Sequence, residues 1–223
     1  MNASDKPSTA VVIVQRTELA LSRSAPLARR GLQTLNSLHD AERSLTEGWD
    51  YFYDGDLEKA FRCFLQGLDR SPLHGRLHCA LGLMSLHGCG TPQNGQKALW
   101  HIRMSAEVGN SAGQLALARI YRSGVEVPKD DEMAYLWTER AAQQNNIWAA
   151  VSLGEMFELG VGVQQDDQQA VYWYLRAMEH GGYVWQTRVT RLQKTIPDFE
   201  ILDGAPSDWG ETMVSEGSAW RTD

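Results

Sequence analysis

Cysteine is scarce in this chain: Cys63, Cys79 and Cys89 are the only three among 223 residues, an odd set too small for a disulfide-stapled fold. Cys79 and Cys89 lie in or near one predicted helix, about 15 Å apart by helical rise and beyond disulfide reach. Free thiols in a reducing compartment are expected. Long apolar runs are also missing; nothing approaches the roughly 18 to 20 residues that span a bilayer, so no membrane insertion is expected. The amino terminus has only Val11 to Val14 as consecutive apolar residues, short of a secretory signal, and the expected location is cytoplasmic. Positive charge is the minority sign, 21 Lys and Arg against 28 Asp and Glu, and no basic stripe interleaves with aromatics. Phosphate binding rests on clustered Lys and Arg, so no nucleic-acid partner is expected.

Recognisable reaction chemistry is absent too. The glycine-rich stretch His87 to Gly95 superficially resembles a phosphate cradle, but it joins two predicted helices where a cradle must follow a strand. It is read as a turn. Asp130-Asp131 and Asp166-Asp167 stand at successive loop-to-helix junctions, where carboxylates cap helix amino termini, and the alternating ligands of a calcium loop are missing. His74 and His78 have the i, i+4 spacing of two metal ligands on one helical face. No third ligand stands in a recognisable relation to them, so neither metal nor cofactor is expected. With no nucleophile–base arrangement identifiable by motif, the chain is read as a non-enzyme. The alternative is a divergent enzyme or metal-dependent hydrolase using His74, His78 or His101, since a fold does not exclude it.

What is present is a repeat. In Ala150 to Gly182, apolar residues at helical spacing run from Val151 to Leu159, break at Gly160, Gly162 and the polar run Gln164 to Gln168, and resume at Ala170, Trp173, Tyr174 and Ala177. That pattern predicts helix, loop and helix. The same skeleton recurs at a spacing of 36 residues: Leu81-Gly82, Leu117-Ala118 and Leu153-Gly154; Gly88, Gly124 and Gly160; Ala98, Ala134 and Ala170. Trp137 matches Trp173, whereas His101 stands where the first of these units would carry that Trp, with Trp100 displaced by one. Glu126 replaces the second loop glycine, Gly162. Self-similarity at such a period means stacked supersecondary units.

These landmarks resemble the Sel-one-like repeat family, a longer-loop relative of the tetratricopeptide repeat. "EGWDYFYDGDLEKAFRCFLQGLDRSP" before them resembles a plain tetratricopeptide unit, through Gly48, Tyr51, Gly55-Asp56, Ala60, Phe64, Gly67 and Pro72. The resemblance implies an all-α fold, an α/α solenoid of antiparallel helix pairs with terminal capping helices. The expected organisation is a flexible arm over 1–26 and one helical-repeat domain over 27–196. That domain comprises a capping helix from Leu27, a tetratricopeptide-like unit at about 44–74, three Sel-one-like units at about 75–182 and a carboxy-terminal cap at about 183–196. An acidic, irregular tail over 197–223 carries Trp209 and Trp220. The shared register predicts a core of Tyr51, Ala60, Phe64, Leu81, Ala98, Leu117, Tyr121, Ala134, Trp137, Leu153, Phe157, Ala170 and Trp173.

By the same resemblance the chain is a protein-protein interaction module, an adaptor, scaffold or cognate inhibitor, binding a protein or peptide in the concave groove formed by the first helices. Transferring the groove offsets of tetratricopeptide-like stacks gives Leu45, Trp49, Phe52 and Tyr53, then Cys79, Leu83, Leu86 and His87, then Arg119 and Arg122, then Glu155 and Glu158. An aromatic end, an arginine pair and an acidic end result. The alternative is that Arg119 and Arg122 pair with Glu155 and Glu158 across adjacent units as a surface network.

Overall fold

The computed structural model describes residues 33–179 and 186–194, and among them are nine helices and no strand. By contacts the chain divides into two compact units, Met1–Pro72 and Leu73–Asp223. None of the described helices is long and apolar enough to cross a membrane. The arm over 1–26 and the tail over 197–223 lie outside the described residues.

The first unit holds α1, through residues 33–53, and α2, Leu57–Arg70. The chain reverses at Gly55, whose φ of 84° suits a residue without Cβ, and Asp56 caps α2 by accepting from the Lys59 N–H at 3.3 Å. Ala41, Leu45, Ala60 and Phe64 are buried together with Gly48, where a Cβ would run into the Phe64 ring. Two expectations are corrected here. The helix expected from Leu27 as a separate cap is, over its described part, continuous with the helix that carries Trp49, because nothing from 33 to 47 is Gly or Pro; Leu35 and Leu38 are exposed on it. Tyr51, expected in the core, is 37% exposed, with the Lys59 ammonium 5.5 Å from its ring centroid. Trp49 packs on Phe64 instead, edge to face at 5.3 Å.

Among its described residues the second unit has three helix pairs and one further helix: α3 Gly75–His87 with α4 Gly95–Glu107, α5 Ser111–Ser123 with α6 Asp131–Gln143, α7 Ile147–Leu159 with α8 Asp167–Glu179, then α9 Gln186–Gln193. All six paired helices are 13 residues long, and first helices start at 75, 111 and 147, so the sequence period is the structural period. Each helix packs on its chain neighbour, and α3 also touches α5. Side chains satisfy the amino-terminal N–H groups: Asn94, Asn110, Asp130, Asn146 and Asp166 each accept through Oδ1 from the N–H three residues on. First helices end on Gly88, Gly124 and Gly160, with φ of 71°, 69° and 67°.

The helices of a pair leave no room for a side chain at glycine. A Cβ on Gly154 would stand 2.8 Å from the Tyr174 ring, and one on Gly82 would stand 2.6 Å from Ile102. In the middle unit the equivalent residues are Ala118 and Thr138, so a methyl replaces hydrogen where the opposing column is smaller. Leu81, Leu117, Leu153, Ala98, Ala134, Ala170, Phe157 and Trp173 are buried, whereas Tyr121 and Trp137 are half-buried. Arg140 lies 4.7 Å from the Trp137 ring centroid and Arg176 lies 5.4 Å from that of Trp173, a cation–π contact repeated on successive second helices.

The long loops pack on the preceding pair, and they do so by two reciprocal arrangements. A Cβ on Gly162 would collide with the Asp131 carbonyl at the start of α6. One unit earlier, a Cβ on Gly95 would collide with the Glu126 carboxylate. The departure from the repeat at Glu126 is thus matched by a glycine at the position it covers.

Helix α9 follows the register. Val189 and Leu192 occupy the columns of Leu81, Leu117, Leu153 and of Met84, Ile120, Met156, and all eight are buried. It takes the place of a first helix one period after α7, with Thr187, Thr190 and Arg191 exposed and Arg188 and Gln193 half-buried.

Candidate protein-binding face

The columns of the first helices decide what each unit presents. Two residues before the Leu of the Leu-Gly pair stand Cys79, Leu115 and Val151, all buried, and Leu45 of the first unit is 1% exposed. This corrects the assignment of Leu45 and Cys79 to a groove. That column faces inward on α1, α3, α5 and α7 rather than out to solvent, and burial pushes the Cys79 thiol up to about 11.

The next columns do reach solvent. On α3, Leu83 is 37% exposed, Leu86 half-buried and His87 exposed; one period later Arg119 and Arg122 are exposed on α5, one turn apart. Neither arginine has an ion-pair partner among the described residues. One period further, Glu155 and Glu158 project from α7, and here the expected alternative of pairing with Arg119 and Arg122 is not what forms. Arg188 of α9 reaches Glu155 Oε1 at 2.9 Å, and Arg191 meets Glu158 Oε1. Tyr174 Oη donates to Glu158 Oε2 at 2.7 Å and accepts from Arg188 at 3.1 Å. Burial, and then the Glu158 carboxylate, keep that phenol protonated far above its ordinary range. The acidic residues are therefore neutralised by the last helix, and the arginine pair is left over.

In the first unit Trp49, Phe52 and Tyr53 form an aromatic group. Phe52 lies edge-on to Trp49 at 5.4 Å and to Tyr53 at 6.0 Å, and Tyr53 is 81% exposed. A residue that the offsets missed is Trp148, 64% exposed at the start of α7. Seven residues before Glu155, it lies on the same helical face. The signal was an aromatic in a column otherwise filled by Arg76 and Ala112.

The histidines do not form the pair that their spacing on one helix offered. His74 caps α3, its Nδ1 accepting from the Leu77 N–H at 3.4 Å. His78 turns to α4 and meets buried His101, Nδ1 to Nδ1 at 3.0 Å, so one ring donates and the other accepts. Trp100 closes against both rings edge-on, at 5.5 and 4.8 Å. Burial first, then His78 and Lys97, lower His101 to about 4. Among the described residues no three His, Cys, Asp or Glu side chains are grouped to hold a metal.

The comparisons with known proteins agree with this register. The Sel1 repeat family model matches residues 77–110, 111–146 and 149–182. A Sel1 repeat protein from Oxalobacter formigenes superposes with a TM-score of 0.59 over 65% of this chain and 59% of its own, at 24% identity. A protective antigen of uropathogenic Escherichia coli with an SLR fold superposes at 0.64, covering 88% of this chain and 41% of its own, also at 24% identity. The chain thus spans about half the length of these solved relatives. No curated protein matches it significantly. Sel1 repeat proteins generally mediate protein–protein interaction and are generally non-catalytic. Three successive units with left-handed glycines and matching columns lie within residues 77–182, and these residues are three Sel1 repeats.

Proposed function

We propose that this protein is a non-catalytic binding module, an adaptor, scaffold or cognate inhibitor. It takes an acidic, partly apolar protein segment along the face of Leu83, Leu86, His87, Arg119 and Arg122. The observation that carries this reading is the arginine pair: two exposed guanidinium groups one turn apart, without an acidic partner among the described residues, one period from exposed Leu83 and half-buried Leu86. Guanidinium groups bind carboxylates in bidentate geometry, and the leucines give apolar area next to them. Glu155 and Glu158 are left out of this face because Arg188 and Arg191 engage them. Trp49, Phe52 and Tyr53 of the first unit are proposed as a separate aromatic contact, with Tyr53 as its exposed member.

The test is affinity capture with the full chain, followed by measured affinity for the captured partner. Arg122→Glu and Leu83→Asp should each weaken binding by about tenfold or more while leaving the helical circular dichroism unchanged. Lys129→Ala, in the α5–α6 loop, should not. Loss of binding with Lys129→Ala alone would move the partner off this face.

A further inference from the structure

The face just described has a tethered candidate ligand of matching chemistry. After Lys194 the chain continues for 29 residues, and from Pro197 to Asp223 it carries Asp198, Glu200, Asp203, Asp208, Glu211, Glu216 and Asp223 against the single cation Arg221. The stretch Asp208-Trp209-Gly210-Glu211 sets an aromatic side chain between two carboxylates three residues apart. The described face offers the complement, with Arg119 and Arg122 three residues apart on α5 and Leu83 and Leu86 in the same columns of α3.

Resting on the reading of that face as a binding surface, we propose that its resident ligand is the chain's own acidic tail. Asp208 and Glu211 pair with Arg119 and Arg122, and Trp209 lies on Leu83 and Leu86. A protein partner must then displace the tail. Reach is no obstacle. From α9 back to α5 is two first-helix positions, about 20 Å at 8–10 Å per packed helix, and the 14 residues from Lys194 to Asp208 extend to about 45 Å or more. Tethering supplies the occupancy that two exposed ion pairs would not. At an effective concentration of about 1 mM, a segment with a dissociation constant of about 0.1 mM is bound roughly ten to one. The same ratio weakens a competing partner by about tenfold. Glu155 and Glu158 would repel the tail from the next unit, but Arg188 and Arg191 cancel them. The alternatives, an acidic partner segment with no competitor in the chain or a second copy's tail, are separated by the test.

Full-length protein labelled with 5-fluorotryptophan gives one fluorine resonance per Trp, and Trp209→Phe assigns the one in question. In the wild-type chain the Trp209 resonance should differ from that in a synthetic peptide of residues 197–223. It should move to the peptide position in about 1 M salt, where exposed ion pairs are screened. Arg119→Glu with Arg122→Glu should shift it likewise, and adding Asp208→Arg with Glu211→Arg should restore it. Dependence of the resonance on protein concentration would assign the docking to a second copy and overturn the intramolecular form. A Trp209 resonance identical to that of the free peptide, and indifferent to the arginine reversal, would overturn the proposal outright. Partner affinity separates the two readings. Full chain with Asp208→Asn and Glu211→Gln should bind the captured partner about tenfold more tightly. Unchanged affinity that still depends on Arg122 removes the tail and keeps the face, whereas affinity that depends on neither removes both.

Discussion

Acid should destabilise the second unit through one residue, His101. Its ring is 4% exposed, held against His78 and under Trp100. Its folded pKa lies at about 4, against an ordinary value of 6.5. Between these two values the unfolded chain binds a proton that the folded chain refuses. Stability therefore rises with pH from about 4 to 6.5 and is fully present above 6.5. The displacement corresponds to at most about 3 kcal/mol, or roughly 6–12 °C in melting temperature for a domain of this size. The charged and titratable neighbours are His78 on α3 and Lys97 one turn earlier on α4, and both oppose protonation of His101. The assay is urea unfolding at pH 7.5, 6, 5 and 4 for wild type and His101→Gln, which keeps hydrogen-bonding capacity without titrating. Carboxylates common to both proteins cancel in the difference. Wild type should lose its advantage over the variant as pH falls through this window; a difference that does not change with pH would refute the reasoning.

Three further perturbations test the packing. Gly162→Ala puts a Cβ against the Asp131 carbonyl at a φ of 70° and should cost about 2 kcal/mol or more. Gly95→Ala, whose nearest neighbour is the movable end of Glu126, should cost about 1 kcal/mol or less, and thermal unfolding compares the two. Ala134→Trp and Ala170→Trp overfill positions that are 1% and 0% exposed and should each cost about 1–3 kcal/mol in urea titrations. Glu158→Ala removes the acceptor of Tyr174 and Arg191 and should raise amide exchange in α9 selectively, leaving α3 to α6 unchanged.

Much of this was legible because a period converts one well-patterned unit into a template for poorer ones. Gly160 in the clearest unit locates Gly124 and Gly88, and the acid before α8 locates the cap of α6. The same arithmetic would have found α9, since Val189 stands one period after Leu153, but position 196, one period after Gly160, is Ile rather than Gly and the motif breaks off. The register was less informative where partners come from another helix. Glu155 and Glu158 look free for Arg119 and Arg122 on spacing alone; their choice of Arg188 and Arg191 follows from the seat of α9, which buries Val189 and Leu192. His78 and His101 were hidden for a related reason. Spacing within one helix pointed to His74, whereas the informative comparison was between columns, where His78 matches Ala150 and His101 matches Trp173. A small and a large residue in the third unit become two mid-sized rings in the first.

Repeats that share a 36-residue period can pair out of step, during folding or after unequal exchange of gene segments. The loop contacts oppose this. The Glu126 carboxylate lies where a Cβ on Gly95 would stand, and Gly162 leaves room for the Asp131 carbonyl. If the units slid by one, Glu126 would meet the Asp131 carbonyl and Gly162 would leave a hole over Gly95. The junctions thus differ from unit to unit, and a chain built from similar parts favours one order of assembly.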